Sequence, residues 1–258
     1  MIAVRIIVTR PAAQAQAWVH DLRERGLDAQ ALPLIAIGAA ADPAVVQAAW
    51  QTLSAHTLVV FVSPNAVEQF FAAAPGGARW PDRALAGSLG PGTTRELRAR
   101  SVPAGAIVEP AADALQFDSE SLWAELSARP WQGRSVLIVR GDGGRDWLAD
   151  TLRSAGAQVE LLGAYRRVAS KPDAAQRALL AAAVDAPAEH LWLFSSSEAI
   201  DRLAALCPQL DAAAWRPAHA IATHPRIADR ARALGIGAVH ASRPAIDAVI
   251  ACIQSIRP

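Results

Sequence analysis

Phe61-Val62-Ser63-Pro64-Asn65-Ala66-Val67 reads as the end of a buried strand, a helix cap and a first helical turn. The β-branched run 58–62 is apolar throughout, as in a strand covered on both faces. Ser63 is an N-cap residue, and Pro64 suits the first helical position, where no N–H is needed. The pattern recurs as Leu193-Phe194-Ser195-Ser196-Ser197-Glu198-Ala199-Ile200. Val8-Thr9-Arg10-Pro11 recurs as Val139-Arg140-Gly141-Asp142, Arg25-Gly26 as Ala155-Gly156, and Gly90-Pro91-Gly92-Thr93 as Ala222-Thr223-His224-Pro225. The offsets 139 − 8, 156 − 26, 195 − 63 and 225 − 93 are 131, 130, 132 and 132, close to half of the 258 residues. Strand-like runs alternate with Ala/Leu-rich helical stretches in both halves. That order predicts an α/β protein with two similar Rossmann- or flavodoxin-like lobes, each with a parallel sheet covered by helices.

Working outward, strands are predicted at 4–8, 29–37, 58–62, 84–89, 106–108, 135–140, 158–166, 190–194, 218–221 and 238–240. Helices are predicted at 12–25, from Pro64, and at 93–99, 118–128, 145–154, 173–183, 197–205, 225–233 and 244–256. In parallel sheets, ligands bind beyond the carboxyl ends of the strands. Those ends are Thr9-Arg10, Ser63, Gly90 to Thr93, Arg140 to Gly144, Ser195-Ser196 and Thr223-His224. Each opens a helix, so each offers backbone N–H donors and a positive dipole end to an anion. Each residue is equally what caps a helix, but six such positions in register make a shared anion site the stronger expectation.

Composition excludes several classes. Lys plus Arg is 25 against 24 Asp plus Glu, a net charge of +1, which argues against a nucleic-acid binder. No apolar run approaches the roughly 20 residues of a membrane helix, and the opening 1–8 lacks a signal-peptide layout. Two cysteines, Cys207 and Cys252, form neither a disulfide framework nor a metal motif. A soluble cytoplasmic monomer without a metal is therefore expected. Gly141-Asp142-Gly143-Gly144 is not a dinucleotide fingerprint, and no Walker lysine follows it. No Gly-x-Ser-x-Gly elbow surrounds Ser63 or Ser195. The eight tryptophans (18, 50, 80, 123, 131, 147, 192 and 215) read as packing residues of the cores and lobe surfaces.

Taken in order, Val8-Thr9-Arg10-Pro11, Ala31-Leu32-Pro33-Leu34-Ile35, Phe61-Val62-Ser63-Pro64-Asn65-Ala66-Val67, Gly90-Pro91-Gly92-Thr93, Val136 to Arg145, and Ala164-Tyr165-Arg166-Arg167 resemble the uroporphyrinogen-III synthase family over essentially the whole chain. The resemblance implies a bilobed fold with exchanged segments. One lobe would be 1–35 plus 167–258, the other 38–164, and tether strands at about 29–37 and 158–166 would act as a hinge. It implies hydroxymethylbilane as substrate, supplied by hydroxymethylbilane synthase. The chain would be closed with inversion of the terminal pyrrole ring and loss of water, to give uroporphyrinogen III without a cofactor.

By the same resemblance, Tyr165 assists departure of the hydroxyl; its other reading is a tether tyrosine packed by its ring. Ser63, Gly90, Thr93, Gly141, Gly143, Ser195, Ser196 and Thr9 are expected to bind substrate carboxylates. For the hydroxyl residues, plain capping is the alternative. Arg10, Arg140 and Arg145 are expected to pair with propionates, and are otherwise surface cations. Pro225 stands where the family commonly has threonine, which leaves that contact to Thr223 or His224 or removes it. A non-catalytic bilobed small-anion binding protein and an inactive regulatory relative are the alternative functions.

Overall fold

The computed structural model describes residues 4–114 and 116–256; Met1-Ile2-Ala3 of the opening stretch lie outside them. In chain order the elements are β1 (Arg5–Val8), α1 (Ala12–Glu24), β2 (Ala29–Ala31), β3 (Ile35–Ala39), α2 (Pro43–Thr52), β4 (Leu58–Phe61), α3 (Pro64–Ala72), β5 (Leu85–Ser88), α4 (Pro91–Ala99), β6 (Ile107–Val108), α5 (Ser119–Leu126), β7 (Ser135–Gly141), α6 (Trp147–Ser154), β8 (Gln158–Ala169), α7 (Ala174–Asp185), β9 (His190–Phe194), α8 (Ser197–Leu206), α9 (Ala212–Trp215), β10 (His219–Ala222), α10 (Pro225–Leu234), β11 (Ala238–Ala241) and α11 (Ile246–Ile256). The helix starts follow local chemistry. Ser63 accepts from Ala66 N, Asp118 from Ser121 N, and Asp173 forms a reciprocal capping box with Gln176.

The chain divides into two compact units, Met1–Ala36 with Val168–Pro258, and Ile37–Arg167. The division falls within β3 and within β8. The first unit carries a five-stranded sheet in the order β11-β10-β9-β1-β2. Its strand pairs are parallel, with Ile6 opposite Leu191 and Ile221 opposite Leu193. Numbered within that sheet, the order is 2-1-3-4-5, the flavodoxin-like arrangement. One face packs Ile6, Val8, Leu191, Leu193 and Ile221 against α1 and α11 through Trp18, Val19, Leu22, Val249, Ile250 and Ile253. From the same strands, Trp192 and Phe194 stack at 5.9 Å, and Trp215 of α9 meets Trp192 edge-on.

The second unit carries a six-stranded sheet in the order β3-β8-β7-β4-β5-β6. Its β4 shows why a fully apolar run is a central strand. Val59 and Phe61 pack with Trp50, Phe70 and Leu97, whereas Leu58 and Val60 pack with Leu122, Leu126, Leu148 and Leu152. Alternate residues thus enter two cores, and each fully buried side chain of this size contributes ~1.5–3 kcal/mol.

Several elements differ from the sequence reading. The strand expected over 29–37 is two strands in two sheets, interrupted at Leu32-Pro33-Leu34. Leu32 and Leu34 donate to Val8 and Thr9 at the end of β1, but Pro33 has no N–H to extend a ladder. Helix α2 was not anticipated, although Asp42 caps it and Pro43 opens it; the short α9 was also missed. Helix α6 begins at Trp147, not Arg145, and β8 runs on to Ala169. Trp147 lies at the surface, 37% exposed, because Leu148, Ala149 and Leu152 carry the buried stripe of α6. Among the described residues no helix is long and apolar enough to cross a membrane.

Candidate active site

In an open parallel sheet, the crevice lies where successive connections leave in opposite directions. In the second unit that point falls between β4 and β7, and in the first between β1 and β9. At each sheet, three neighbouring strands feed helices from the same edge: β7, β4 and β5 lead to α6, α3 and α4, and β10, β9 and β1 to α10, α8 and α1.

The β4–β7 edge is organised around Tyr165. Up to Arg140 opposite Gly163, β7 and β8 pair in step; the next pair is Gly141 with Tyr165, which leaves Ala164 as an extra residue. Simple alternation would send Ala164 and Tyr165 to opposite faces. The extra residue re-aims the side chain, so Leu162, Ala164 and Tyr165 all join the same core cluster. The Tyr165 ring then lies against the backbone of Gly141, where an added Cβ would stand 3.0 Å from Cε2 and 3.1 Å from Cζ. Tyr165 is only 4% exposed, and its hydroxyl lies 3.0 Å from Ser63 Oγ. The same Ser63 oxygen accepts from Ala66 N at 3.1 Å, so the phenol is tied to the N-terminus of α3.

The adjoining turn is held from behind. Gly90 N donates to Ser88 Oγ at 3.2 Å, and Thr94 Oγ1 lies 2.9 Å from Ser88 Oγ and 2.5 Å from Glu109 Oε2. Arg98 donates to the other Glu109 oxygen at 3.2 Å. Gly90 is the cap of α4 and Thr93 a buried residue of its first turn. Phe117 packs on Gly90, with its Cβ 2.9 Å from where a Gly90 side chain would begin.

Two of the expected cations are engaged with carboxylates of this unit. Arg140, 9% exposed, pairs with Asp146 and is not a surface cation. Gly144, at φ +129°, makes room for it, since a Cβ would meet Nη2 at 2.9 Å. Arg145 donates to both Glu120 oxygens, at 2.6 and 2.8 Å, and that hydrogen bonding pushes its pKa further up. Gly143 offers its carbonyl to Arg167 at 3.4 Å.

In the first unit, Thr9 is buried and its hydroxyl donates to Leu193 O at 2.8 Å, which ties the end of β1 to β9. Arg10 reaches across the same edge to Ser195 Oγ at 3.3 Å. Ser196 occupies the cap position of α8 without a side-chain cap bond. Just past β10, Thr223 is buried, and the cap of α10 is His224, whose Nδ1 accepts from Arg226 N at 3.1 Å.

The structure therefore brings together Ser63, Gly141 and Tyr165 in one unit and Thr9, Arg10 and Ser195 in the other. Gly90 and Thr93, and Thr223 and His224, stand on the next strand over in each. Ser88, Thr94, Glu109 and Asp146 were missed. Among the described residues no group of His, Cys, Asp or Glu is arranged to hold a metal ion.

Comparison with known proteins agrees with this architecture. The family profile described as Uroporphyrinogen-III synthase HemD matches residues 16–251. Uroporphyrinogen-III synthase of Salmonella typhimurium is 30% identical over 234 residues, covering 89% of this chain and 91% of that protein. The Escherichia coli enzyme of the same name is 28% identical over the same shares. Among solved structures, a mutant uroporphyrinogen III synthase from the extremely thermophilic bacterium Thermus thermophilus aligns with a TM-score of 0.59 at 17% identity, over 98% of each chain. Uroporphyrinogen-III synthetase from Helicobacter pylori aligns at 0.56 and 14% identity, over 98% of this chain and 100% of that one. The profile runs from within α1 to within α11, well over half of the chain, and on that basis the chain belongs to the uroporphyrinogen-III synthase family.

Proposed function

We infer that the protein cyclises hydroxymethylbilane with inversion of the terminal pyrrole ring and loss of water, giving uroporphyrinogen III for porphyrin and heme synthesis. Family membership supports the activity. The observation that carries the chemistry is Tyr165, buried against Gly141 with its hydroxyl 3.0 Å from Ser63 Oγ at the head of α3.

The hydroxyl of the linear substrate leaves as water and an azafulvenium cation remains. The terminal ring attacks through its already substituted carbon, and the resulting spiro intermediate fragments and recloses with that ring inverted. Closure without inversion competes, so the main task is to hold a flexible polyanion in one bend. Tyr165 donates a hydrogen bond to the departing hydroxyl, and Ser63 orients the phenol while fixed by its own cap bond. Carboxylate side chains bind at each sheet edge. In one unit Ser63, Thr93, Gly141 and Gly143 offer hydroxyls and main-chain donors, while Gly90, whose N–H goes to Ser88, shapes the turn; in the other Arg10, Ser195, Ser196, Thr223 and His224 do so, while Thr9, whose N–H and hydroxyl both go to Leu193 O, holds the strand end. Arg140 and Arg145, held by Asp146 and Glu120, add positive potential to the β7–α6 loop.

The same reading makes the protein a cytoplasmic monomer that receives its substrate from hydroxymethylbilane synthase; sedimentation equilibrium tests the monomer. The decisive experiment supplies freshly generated hydroxymethylbilane and identifies the isomer chromatographically after oxidation. The type III isomer is expected. Exclusive formation of type I would refute the reading in favour of a binding protein or an inactive relative.

A further inference from the structure

Arg10, Gln14 and Trp18 follow one another at intervals of four, from the end of β1 into the first half of α1. That spacing stacks Gln14 and Trp18 on one face of the helix, with Arg10 leading into it. Contacts on its edge and on its face fix the Arg10 guanidinium. Nε donates to Gln14 Oε1 at 3.2 Å, Nη1 donates to Ser195 Oγ at 3.3 Å, and the guanidinium carbon stands 4.4 Å from the centroid of the Trp18 ring. Trp18 itself is 5% exposed and packs among Val19, Leu22 and their core neighbours, so the ring is a rigid plate. An indole attracts a guanidinium to its face, whereas carboxylates bind along the guanidinium edge. The two interactions are compatible, and the first restricts the plane in which the second can form.

We propose that Trp18 is a positioning residue for substrate binding. It sets the plane of Arg10 at the β1–β9 switch point, so that the guanidinium edge meets one carboxylate of the polyanionic substrate. This rests on the assignment of Arg10 as a carboxylate contact made above. The arrangement requires arginine: a lysine ammonium is a point charge without a plane to stack or a fork to present.

The test combines steady-state kinetics, product-isomer analysis and calorimetric binding of uroporphyrin III, a polycarboxylate measured without turnover. Trp18→Leu is expected to raise KM and weaken uroporphyrin binding about fivefold, with kcat within about twofold and the type III isomer retained. Trp18→Phe, which keeps an aromatic face, recovers most of that loss. Arg10→Ala combined with Trp18→Leu is no worse than Arg10→Ala alone, because Trp18 acts only through Arg10. Multiplying effects in the double variant would overturn the proposal.

Arg10→Lys tests the need for a planar, forked cation without disturbing the core. It is expected to bind uroporphyrin nearly as poorly as Arg10→Ala, and parent-like binding would overturn the proposal. If the parent forms no type III isomer, the reaction assignment fails, yet uroporphyrin binding to Trp18→Leu, Arg10→Ala and the double variant still decides the role of Trp18.

Discussion

The ring of Tyr165 rests on Gly141, a contact made possible because β8 carries one more residue than β7 at that point. A methyl group on Gly141 would stand 3.0 to 3.4 Å from Cε2, Cζ and Oη of the tyrosine. Gly141→Ala is therefore expected to shift the phenol away from Ser63 by a few tenths of an ångström. A fall in kcat of roughly tenfold should follow, since small misplacements of reacting groups are costly. Stability should change by no more than about 1–2 kcal/mol. Turnover and thermal unfolding measured together check this; parent-like turnover would show that the contact has no part in the reaction.

Tyr165→Phe keeps the ring packing and removes the hydroxyl. If the phenol assists departure of the leaving group, kcat falls on the order of 10²-fold while KM changes little. Ser63→Ala removes both the phenol's partner and the cap of α3, so it should lower kcat and also cost about 1 kcal/mol in denaturant unfolding. Near-parental rates with Tyr165→Phe would leave the tyrosine a packing residue only.

The Arg140–Asp146 pair joins a nearly buried cation to a carboxylate whose side chain is 55% exposed. Asp146→Ala leaves the cation without this partner. The partner's exposure tempers the loss, so the expected cost is about 1–2 kcal/mol, less than for a pair buried on both sides. Urea unfolding of Asp146→Ala and of Arg140→Met should show the second to be the milder change, because it removes the charge together with its need for a partner.

His56 makes acid sensitivity measurable. Burial pushes its pKa below the usual 6.5, and Glu160 offsets this in part. Its Nδ1 lies 2.8 Å from Ser135 Oγ, and Nε2 is buried without a hydrogen-bond partner among the described residues. With the folded pKa depressed, the unfolded chain takes up the proton first. Stability contributed by neutral His56 is fully present above the unfolded value of 6.5 and is lost as pH falls from there toward the folded value. Unfolding midpoints between about pH 7.5 and 5 should fall less steeply for His56→Gln than for the parent; an identical slope would remove His56 as the cause.

Much of this arrangement was legible locally. Ser63-Pro64, Asp118 and Asp173 announce their helices because a cap is a short-range contact. Leu58–Phe61 announces a central strand because both faces of the run are apolar. What was missed depends on distant partners or on a signal passed over. Alternation along Leu162-Gly163-Ala164-Tyr165 gives the wrong face for the tyrosine, since the extra residue exists only relative to β7. Thr94 and Glu109 meet across the β6 crossover, and nothing between them in sequence marks the contact. Arg140 and Arg145 read as binding cations because their carboxylates, Asp146 and Glu120, are selected by loop geometry. Pro33 and Asp42-Pro43 were readable signals. The first breaks a strand for want of an N–H, and the second opens a helix for the same reason.

The pairing of β1 with β9 sets an order of assembly. Thr9 and Leu193, joined by a hydrogen bond, lie 184 residues apart in the chain. Every strand of the sheet of the second unit lies within the contiguous segment 35–169. During synthesis that segment can fold as soon as β8 has left the ribosome. β1 and β2, made first, must wait for β9 and the helices beyond it, and the long loop closure makes this the slow step. A chain released before residue 190 would carry a complete second unit preceded by a β1–α1–β2 segment in which the edge of β1 that β9 covers is left open. That species is the one that quality control, or aggregation, would meet.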